Sequence, residues 1–403
     1  MKILVVVPAL GNIYGGPSKS VVELTQALGK KGIDVDLVTT NANGSDRLNV
    51  PLDCWIEKES YRLRYFSYIA FKDYKISWSL TKWLWQNAKN YDLVHTNAIF
   101  SYAILPAYWA CKKDNVPYMV TPRGMLEPWA LSYKAWKKKF YYALLEKPAL
   151  DRANAIQMLA STEAQRTESL NIKAPFTIIP NGVHRQDFEA LVSPDFFYEQ
   201  FPETRDKQLI IFLGRIDPKK GLDLLGKAMG QVSRQFPKAH LVVAGSDNIG
   251  FLPTAKQYFA ENNCLDRVTF AGLLTGELKY SALAAADVYV APSYSEGFSM
   301  SVLEGMASGL ACVITTGCNF PEAEKAKAAR VVDIDAQQIA NALTECLDNP
   351  EAAKDMGNRA RSLIFDRYTW DSIALRLIET YTSIINRQES ISHLYYPSLS
   401  TDA

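Results

Sequence analysis

The sequence predicts an α/β protein with two doubly wound, parallel-sheet domains and a ligand cleft between them. Its 403 residues exceed what one hydrophobic core usually covers, which favours two domains. Short runs rich in Val and Ile alternate with longer helical patterns, as in parallel sheets. This alternation pauses once, across Arg185 to Lys207, and then restarts. Two such sheets would form a crevice beyond the carboxyl ends of their strands, where sheets of this class bind ligands.

The apolar runs set the predicted strands and domain boundaries. We expect a first domain over residues 1–190, a linker over 191–207 and a second domain over 208–368. Residues 369–387 are predicted as a final helix and 388–403 as a loose tail. The predicted strands are Ile3 to Val7, Val35 to Thr39, Leu93 to His95, Tyr118 to Thr121, Ala155 to Leu159, Thr177 to Ile179, Leu209 to Leu213, His240 to Ala244, Val268 to Ala271, Val288 to Ala291 and Ala311 to Ile314.

The composition excludes several classes of protein. A charged fraction of 22% and a net charge of +1 argue against a nucleic-acid partner. The six cysteines form no C-x-x-C pair and there are four histidines, so neither a disulfide framework nor a metal site is predicted. We therefore expect reduced thiols and a cytoplasmic protein. The apolar run after Lys2 is too short for a signal peptide, and no stretch approaches the ~20 apolar residues of a membrane-spanning helix.

The segment from Ser295 to Gly309 follows a predicted strand and opens a helix. Gly297 would let the backbone approach a ligand closely, and Ser299 would cap the helix. The first-turn amides of Ser299, Met300 and Ser301 would then point into the crevice and form a phosphate site.

Two glutamates flank that predicted phosphate site. Glu296 lies just before it, where its carboxylate can accept hydrogen bonds from sugar hydroxyls. Glu304 lies about two turns into the helix, where it can reach the two hydroxyls of a ribose. The alternative is a helix start with an acidic cap and a solvent-facing glutamate.

The run from Gly214 to Gly221 carries positive charge at the end of another predicted strand. Arg215 and Lys220 can converge there on one diphosphate, while Lys219 is expected to face water. Fixed cations would stabilise a departing nucleoside diphosphate without a metal ion. The alternative is a structural basic turn.

A glycine-rich turn, Tyr14 to Ser18, follows the first strand of the first domain. It lacks the G-x-G-x-x-G pattern, so ordinary dinucleotide binding is unsupported. The turn suits backbone contact with donor phosphates or with an acceptor, and a plain strand-to-helix turn is the alternative.

Together these pieces resemble the GT-B fold glycosyltransferases of family 4, a large retaining group built from two Rossmann-like domains. The group includes bacterial polysaccharide mannosyl- and glucosyltransferases. The resemblance covers nearly the whole chain and rests on the joint order of Gly15-Gly16, Glu23-Leu24, Ile179-Pro180-Asn181-Gly182-Val183, Gly214-Arg215, Lys220-Gly221, Val268-Thr269-Phe270-Ala271-Gly272 and the E-x7-E pair Glu296 and Glu304.

The resemblance implies a role for each matching position. Glu296 would bind the transferred sugar, and Arg215 and Lys220 would bind the diphosphate. The final helix would cross back to the first domain. The implied donor-binding residues are Glu304 at the ribose, Gly272 and Leu273 at the nucleobase, Gly16 at the reaction centre, and the loop residues Gly297, Phe298, Ser299, Met300 and Ser301.

Four residues of the first domain are candidates for contact with the acceptor or the sugar. Many members carry His-x-His where this chain has His95 and Asn97, so either His95 acts near the sugar or it is a buried strand residue. The segment Thr121 to Trp129, which contains Arg123, resembles a subgroup often found in exopolysaccharide gene sets. Arg123 would bind the leaving phosphate or an acceptor, and the alternative is a surface residue that forms an ion pair. Asn181 is the fourth candidate.

A basic aromatic segment, Trp129 to Leu150, is the candidate for membrane contact. Its aromatic residues interleave with Lys134, Lys137, Lys138 and Lys139. Such a helix can touch anionic lipid at the cytoplasmic face of the inner membrane. A solvated helix with a buried aromatic face is the alternative.

The combined features predict a retaining, metal-independent hexosyltransferase with no cofactor beyond its nucleotide diphosphate sugar. UDP-glucose is the favoured donor and GDP-mannose the alternative. The expected acceptor is a saccharide or lipid-linked saccharide in polysaccharide biosynthesis. Two rivals remain: a relative that epimerises or phosphorolyses sugars, and a non-catalytic subunit that binds sugar nucleotides.

Overall fold

The computed structural model describes residues 1–71, 74–102, 104–127, 141–189 and 192–386. The chain forms two compact units. The first unit comprises Met1–Asn181 and the chain from Trp370 onward, and the second comprises Gly182–Thr369.

The described part of the first unit is built on a sheet of eight strands in the order β12-β11-β10-β9-β1-β2-β6-β5. Neighbouring strands are parallel except for the edge pair β5 and β6. The eight strands are β1 (Lys2–Ala9), β2 (Asp34–Thr40), β5 (Trp55–Glu57), β6 (Arg62–Phe66), β9 (Leu93–Asn97), β10 (Tyr118–Thr121), β11 (Ala155–Met158) and β12 (Phe176–Ile178). Two further pairs lie outside this sheet: β3 (Ala42–Asn43) with β4 (Asp46–Arg47), and β7 (Ile69–Phe71) with β8 (Tyr74–Ile76).

Helices of the first unit cover its sheet, so the central strands are buried on both faces. All six strands predicted in this half lie in the sheet, whereas β5 and β6 were not predicted because β6 carries charged residues. Arg62 of β6 makes two hydrogen bonds of 2.7 Å to the buried carboxylate of Asp36. The helices, in the residues described, are α1 (Gly16–Lys30), α2 (Trp78–Asn87), α3 (Leu105–Asp114), the π-helical turn Tyr142–Glu146, α4 (Lys147–Leu150) and α5 (Ser161–Thr167).

The second unit contains a parallel sheet of six strands in the order β15-β14-β13-β16-β17-β18. The order reverses between β13 and β16, which is the switch point where sheets of this class bind ligands. Its strands are β13 (Gln208–Leu213), β14 (Ala239–Ala244), β15 (Val268–Gly272), β16 (Val288–Ala291), β17 (Ala311–Thr315) and β18 (Arg330–Val332). Its helices, within the same residues, are α6 (Gln186–Glu189), α7 (Asp195–Gln200), α8 (Leu222–Gln235), α9 (Leu252–Glu261), α10 (Gly276–Ala285), α11 (Met300–Ala307), α12 (Pro321–Lys325), α13 (Ala336–Asp348) and α14 (Pro350–Arg367).

The last helix, α15 (Trp370–Ile385), belongs to the first unit although it ends the described chain. It packs on α1, and the indole nitrogen of Trp370 donates a 2.9 Å hydrogen bond to Glu23. The predicted tail, residues 388–403, lies outside the described residues.

The predicted linker, residues 191–207, does not separate the units. The chain leaves the first unit after Asn181, and helix α7 within the predicted linker packs on α10. Phe197 of α7 is fully buried, and its amide donates to the Ser281 hydroxyl at 2.9 Å. The segment was predicted as a linker because it is acidic and contains prolines, but the burial of its aromatic side chains makes it part of the second unit.

Candidate active site

The candidate donor site lies at the carboxyl edge of the second unit's sheet. The loops after β13, β14 and β15 pack tightly there, and a Cβ atom on Gly245 would stand 1.7 Å from the Gly214 carbonyl oxygen. The Gly245 amide donates to the Gly272 carbonyl at 2.7 Å. Glycine therefore allows three strand-end loops to meet at one edge.

The loop after β13 turns sharply before α8. The Asp217 carboxylate accepts from the Lys219 amide at 3.1 Å and starts a single turn over Pro218–Lys220. Gly221 follows with φ 71°, and a Cβ atom there would lie 2.0 Å from the Pro292 carbonyl oxygen. The Tyr294 amide also donates to the Lys219 carbonyl at 2.8 Å. The loops on either side of the switch point are thereby joined.

Lys220 and Glu296 form the central ion pair of this edge. The Lys220 ammonium lies 2.5 Å from Oε1 of Glu296, and the Lys219 ammonium lies 3.8 Å from Oε2. The Ser293 hydroxyl donates to Oε1 at 2.8 Å. Lys219 is thus half-buried beside the carboxylate, and the expectation that it faces water was wrong. It is drawn inward because two adjacent lysines straddle one buried anion.

The charge of Glu296 depends on these partners. Burial by itself would raise the pKa of Glu296, but the Lys220 and Lys219 ammonium groups and the hydrogen bonds from Lys220 and Ser293 lower it below its usual value. Its backbone is held as well, because the Glu296 amide donates to the Gly317 carbonyl at 2.8 Å. The result is a fixed, ionised carboxylate that can accept hydrogen bonds from hydroxyl groups.

Helix α11 begins at Met300, shortly after Glu296, so the predicted helix start in this segment is present. Leu303 donates the first intrahelical bond, to the Ser299 carbonyl at 3.2 Å, which leaves the amides of Met300 and Ser301 at the helix entrance. Ser299 occupies the N-cap position, but its side chain makes no capping bond and instead contacts the Ser301 hydroxyl at 3.1 Å. Ser299 is thus the N-cap residue, as predicted, but the predicted hydrogen bond from its side chain to the helix amides is not formed.

The loop residues Gly297 and Phe298 connect Glu296 to α11. The Phe298 ring is buried and stacks on Tyr368 with centroids 5.9 Å apart, while Phe320 lies 5.0 Å from both rings. The Phe298 side chain thus holds the loop in place. Because its ring is buried, Phe298 can contact a donor only through its backbone.

Arg215 and Lys220 share a loop but have different partners. Arg215 is exposed, and its guanidinium lies 3.2 Å from Asp217, a pair of small energetic value in water. Its fork is therefore accessible to an anion, whereas Lys220 is committed to Glu296.

The remaining donor candidates lie around β15 and α11. Glu304 is buried and pairs with the Lys279 ammonium at 2.9 Å. Gly272 ends β15 with φ 68°, and Leu273 beside it is 62% exposed. An apolar side chain at this exposure offers a contact surface for a flat base.

In the first unit, Arg123 is held by neutral oxygen atoms at the carboxyl edge. Its nitrogens donate to Oδ1 of Asn97 at 2.7 and 3.0 Å, to the Ser20 hydroxyl at 2.8 Å and to Oδ1 of Asn181 at 3.2 Å. Burial lowers the pKa of Arg123 to about 10, although Glu163 and Tyr381 oppose the shift. Three of the four predicted first-domain candidates therefore meet in one cluster.

Two further features adjoin the Arg123 cluster. Ser20 belongs to the first turns of α1, the helix that begins at Gly16 of the glycine-rich turn. Nδ2 of Asn97 is buried and has no hydrogen-bond partner among the described residues. The cluster thus contains a polar group that a substrate could satisfy after a small rearrangement.

His95 lies near that cluster, but the hydrogen bonds of its ring go to two other residues. Its Nδ1 contacts the Tyr381 hydroxyl and its Nε2 the Thr121 hydroxyl, each at 2.6 Å. Since Thr121 donates onward to Gln157 at 2.8 Å, Nε2 carries the proton. Burial, with the nearby Arg123 charge, lowers the pKa of His95 to about 3. The ring offers no nitrogen to a sugar, which contradicts the candidate role and supports the buried-strand alternative.

Sequence reasoning missed Ser293, Lys279 and Ser20. Ser293 lies two residues beyond β16, so its position at a strand end was a usable signal. Lys279 gave no such signal, because its partner Glu304 lies on another helix, 25 residues further along the chain.

The basic aromatic segment is only partly visible. Residues 128–140, which contain its four lysines, lie outside the described residues, whereas the segment's end forms α4 and the turn before it. Among the described helices, none combines the length and apolar character needed to cross a bilayer.

Two family models match the chain. Residues 14–187 match the model described as Glycosyltransferase Family 4, and residues 195–363 match Glycosyl transferases group 1. A phosphatidyl-myo-inositol mannosyltransferase of Mycobacterium tuberculosis is 28% identical over 215 residues, which is 51% of this chain and 53% of that protein. The chain therefore spans about half the length of this curated relative.

Solved structures share the fold. Sucrose-phosphate synthase from Thermosynechococcus elongatus has a TM-score of 0.77 and 22% identity, covering 96% of this chain and 100% of its own. Anabaena HepE in complex with UDP-glucose has a TM-score of 0.76 and 17% identity, and the match covers 95% of this chain and 100% of the HepE chain. The two matched domains and the shared fold lead to one assignment: this chain belongs to the GT-B glycosyltransferases, with a family 4 domain followed by a group 1 domain.

Proposed function

We propose that this glycosyltransferase transfers a hexose with retention of anomeric configuration, from a nucleotide diphosphate sugar to a hydroxyl of a saccharide or lipid-linked saccharide. In this proposal Glu296 binds the transferred sugar, Glu304 binds the ribose, and Arg215 and Lys220 bind the diphosphate. The amides at the start of α11 add donors for the phosphates.

The observation that carries the proposal is the Glu296 carboxylate set between Lys220 at 2.5 Å and Lys219 at 3.8 Å. A donor diphosphate arriving here would meet ammonium groups already fixed in position, and the sugar hydroxyls would meet an ionised carboxylate. Preorganised charges of this kind stabilise the negative charge that builds up as the diphosphate leaves. These cations would do so without a metal ion.

The proposed reaction is a front-face substitution. The bond from the anomeric carbon to the diphosphate oxygen breaks while the acceptor oxygen attacks from the same side. A donor phosphate oxygen takes the proton of the acceptor hydroxyl, so no protein base is required.

UDP-glucose is the proposed donor, and GDP-mannose is the second candidate. The first is favoured by the fold shared with HepE, which was solved with UDP-glucose, and the second by sequence similarity to a mannosyltransferase. A thermal shift panel of UDP, GDP and ADP with their hexose conjugates separates them, because a ligand that binds the native state raises its stability. A selective rise with one nucleotide that persists in EDTA would identify the base and support metal independence.

The acceptor side is proposed to lie at the Arg123 cluster. Its guanidinium charge among neutral oxygens suits a phosphate of the acceptor or of the leaving group. Peripheral contact with the inner membrane from the cytoplasm is part of the same proposal, and binding to anionic vesicles tests it.

Product analysis is the decisive experiment. The protein would be incubated with the selected donor and an acceptor panel in EDTA, and the anomeric configuration of the product read by NMR. Transfer with retention, abolished by Glu296→Gln and unaffected by Glu324→Gln at an exposed site, would support the proposal. Turnover without any acceptor would favour an epimerase or phosphorylase, and donor binding without turnover would favour a non-catalytic subunit.

A further inference from the structure

Lys279 and Glu304 form an ion pair between two helices of the second unit. Lys279 lies in the first turn of α10, and Glu304 lies in the second turn of α11. Their atoms Nζ and Oε1 are 2.9 Å apart, and the side chains are 13% and 9% exposed. A charged hydrogen bond of this length, largely shielded from water, fixes the orientation of both groups.

Helix α10 is a firmly held support for Lys279. Its Tyr280 hydroxyl donates to Asp187 at 2.9 Å, and its Ser281 hydroxyl donates to the Ser193 carbonyl at 2.7 Å. The Lys279 ammonium also lies 4.6 Å from the centre of the Tyr280 ring. The helix that carries Lys279 is therefore held in place by contacts that do not involve Glu304.

The chain leading into α10 begins at Gly272 and Leu273, the residues assigned to the nucleobase. Three residues separate Gly272 from the start of the helix at Gly276, so Lys279 follows the base loop closely. Lys279 thus connects the part of the site assigned to the base with the carboxylate assigned to the ribose.

We propose that Lys279 is a positioning residue that orients the Glu304 carboxylate toward the ribose, an inference that rests on the proposed function. Lys279 thereby sets the preference for ribonucleotide over deoxyribonucleotide donors. A carboxylate has about four lone-pair sites, and an ammonium bound at Oε1 fixes the directions of the others. A ribose with both hydroxyls can use that fixed geometry, whereas a 2′-deoxyribose loses one hydrogen bond to a charged group. Such a bond accounts for roughly tenfold or more in affinity.

The test compares binding of UDP with 2′-deoxy-UDP, and of GDP with 2′-deoxy-GDP, by titration calorimetry. For the base that binds, we expect the wild-type protein to prefer the ribose form by about tenfold or more. Lys279→Met should reduce that preference to about the level of Glu304→Gln, and the double variant should lose no more. Lys279→Arg should restore part of the preference, because it keeps the charge. Lys227→Met, at an exposed site on α8, is the matched control.

Each outcome bears on the proposal. If Lys279→Met weakens the ribose and deoxyribose forms equally, Lys279 is a structural residue and the proposal is overturned. The proposal is also overturned if Glu304→Gln removes the ribose preference while Lys279→Met leaves it intact. That result would not contradict the proposed transferase reaction. If Glu304→Gln itself leaves the preference unchanged, the ribose assignment fails together with this inference. Should Lys279→Met not fold, Lys279→Arg alone still decides, since an unchanged preference would contradict a geometry set by the ammonium.

Discussion

In the second unit, the buried glutamates at the carboxyl edge are each paired with lysine, whereas in the first unit Arg123 lies among neutral oxygens. Lys220 lies 2.5 Å from Glu296 and Lys279 lies 2.9 Å from Glu304. Arg123 instead makes its four hydrogen bonds within the described residues to amide and hydroxyl oxygens.

The difference concerns how each edge would respond to a substrate. At the second unit's edge, the phosphates of a ligand would bind lysines that are also paired with glutamates, and its hydroxyls would donate to the glutamate carboxylates. The edge that holds Arg123 attracts a single negative group, since its hydrogen-bond partners are neutral oxygens and the pKa of the nearby Glu163 carboxyl is raised by burial to about 7. The second unit therefore suits a ligand carrying both phosphates and hydroxyls, and the first suits one anionic group.

Replacing Lys220 tests the paired edge and should have the largest effect. We expect Lys220→Met to lower kcat/KM by about 10³-fold, because the leaving diphosphate loses a fixed cation. Loss of a partner for buried Glu296 should also destabilise the fold by roughly 3 kcal/mol. Steady-state kinetics and thermal unfolding measure both, with Lys227→Met as the control. Activity within tenfold of wild type would show that the pair does not serve the reaction.

Replacing Arg123 tests the unpaired edge. Arg123→Lys keeps the charge but removes the fork that reaches Asn97, Ser20 and Asn181 together. We expect kcat/KM for the acceptor to fall by roughly 30-fold, about 2 kcal/mol, with donor affinity unchanged. Arg166→Lys, at an ion pair with Glu127, is the control. An equal loss of donor affinity would instead assign Arg123 to the leaving group.

The pH dependence of stability should differ in sign between two buried carboxylates, Glu146 of the first unit and Glu296 of the second. In the first unit, burial raises the pKa of Glu146 to about 7 from its usual 4.5, although the Phe100 amide donates to it. The folded state therefore holds this proton more tightly, and its contribution to stability falls as pH rises from about 4.5 to 7. Glu296, with a lowered pKa, contributes stability that is present above its unfolded pKa and lost as pH falls through the folded value.

Glu146→Gln isolates the first of these effects. The variant keeps the acceptor for the Phe100 amide without the buried charge, so we expect about 2 kcal/mol more stability than wild type at pH 8. Near pH 4 the two proteins should be equally stable. Denaturant unfolding at both values measures the difference, and a constant difference between them would mean that Glu146 does not titrate in this range.

Removing the Ser293 hydroxyl should have the smallest effect. Ser293→Ala deletes one hydrogen bond of 2.8 Å to Glu296 but leaves Lys220 in place. We expect kcat/KM to fall about fivefold, near 1 kcal/mol. A loss as large as that of Lys220→Met would show that Ser293 touches the substrate itself.

Much of the fold followed from local patterns. Parallel strands buried on both faces read as apolar runs, which is why the strands around Val5 and Ile211 were predicted. The β6 strand was missed because Arg62 needs a partner, Asp36, that the local pattern does not reveal. The linker was misplaced because Phe197 of α7 is buried by a helix about 80 residues further along the chain.

The candidate site likewise has features that the sequence predicts and features that only the packed structure shows. Glycines, cations and glutamates at strand ends can be read from the sequence, because strand ends of a parallel sheet share one edge. The roles of His95 and Lys219 could not be read, since both depend on partners that other segments supply. Those site roles stay predictions until the variants are measured.

The sequence alone determined the two-sheet α/β architecture and the kinds of residue at its strand ends, because hydrophobic periodicity and glycine placement are local properties. Tertiary structure alone decided which charges meet. It placed Tyr381 on His95 across 286 positions and Lys279 on Glu304 across 25. An ion pair or a buried hydrogen bond is set by distances of a few ångströms in space, and these become defined only when the helices and strands have packed.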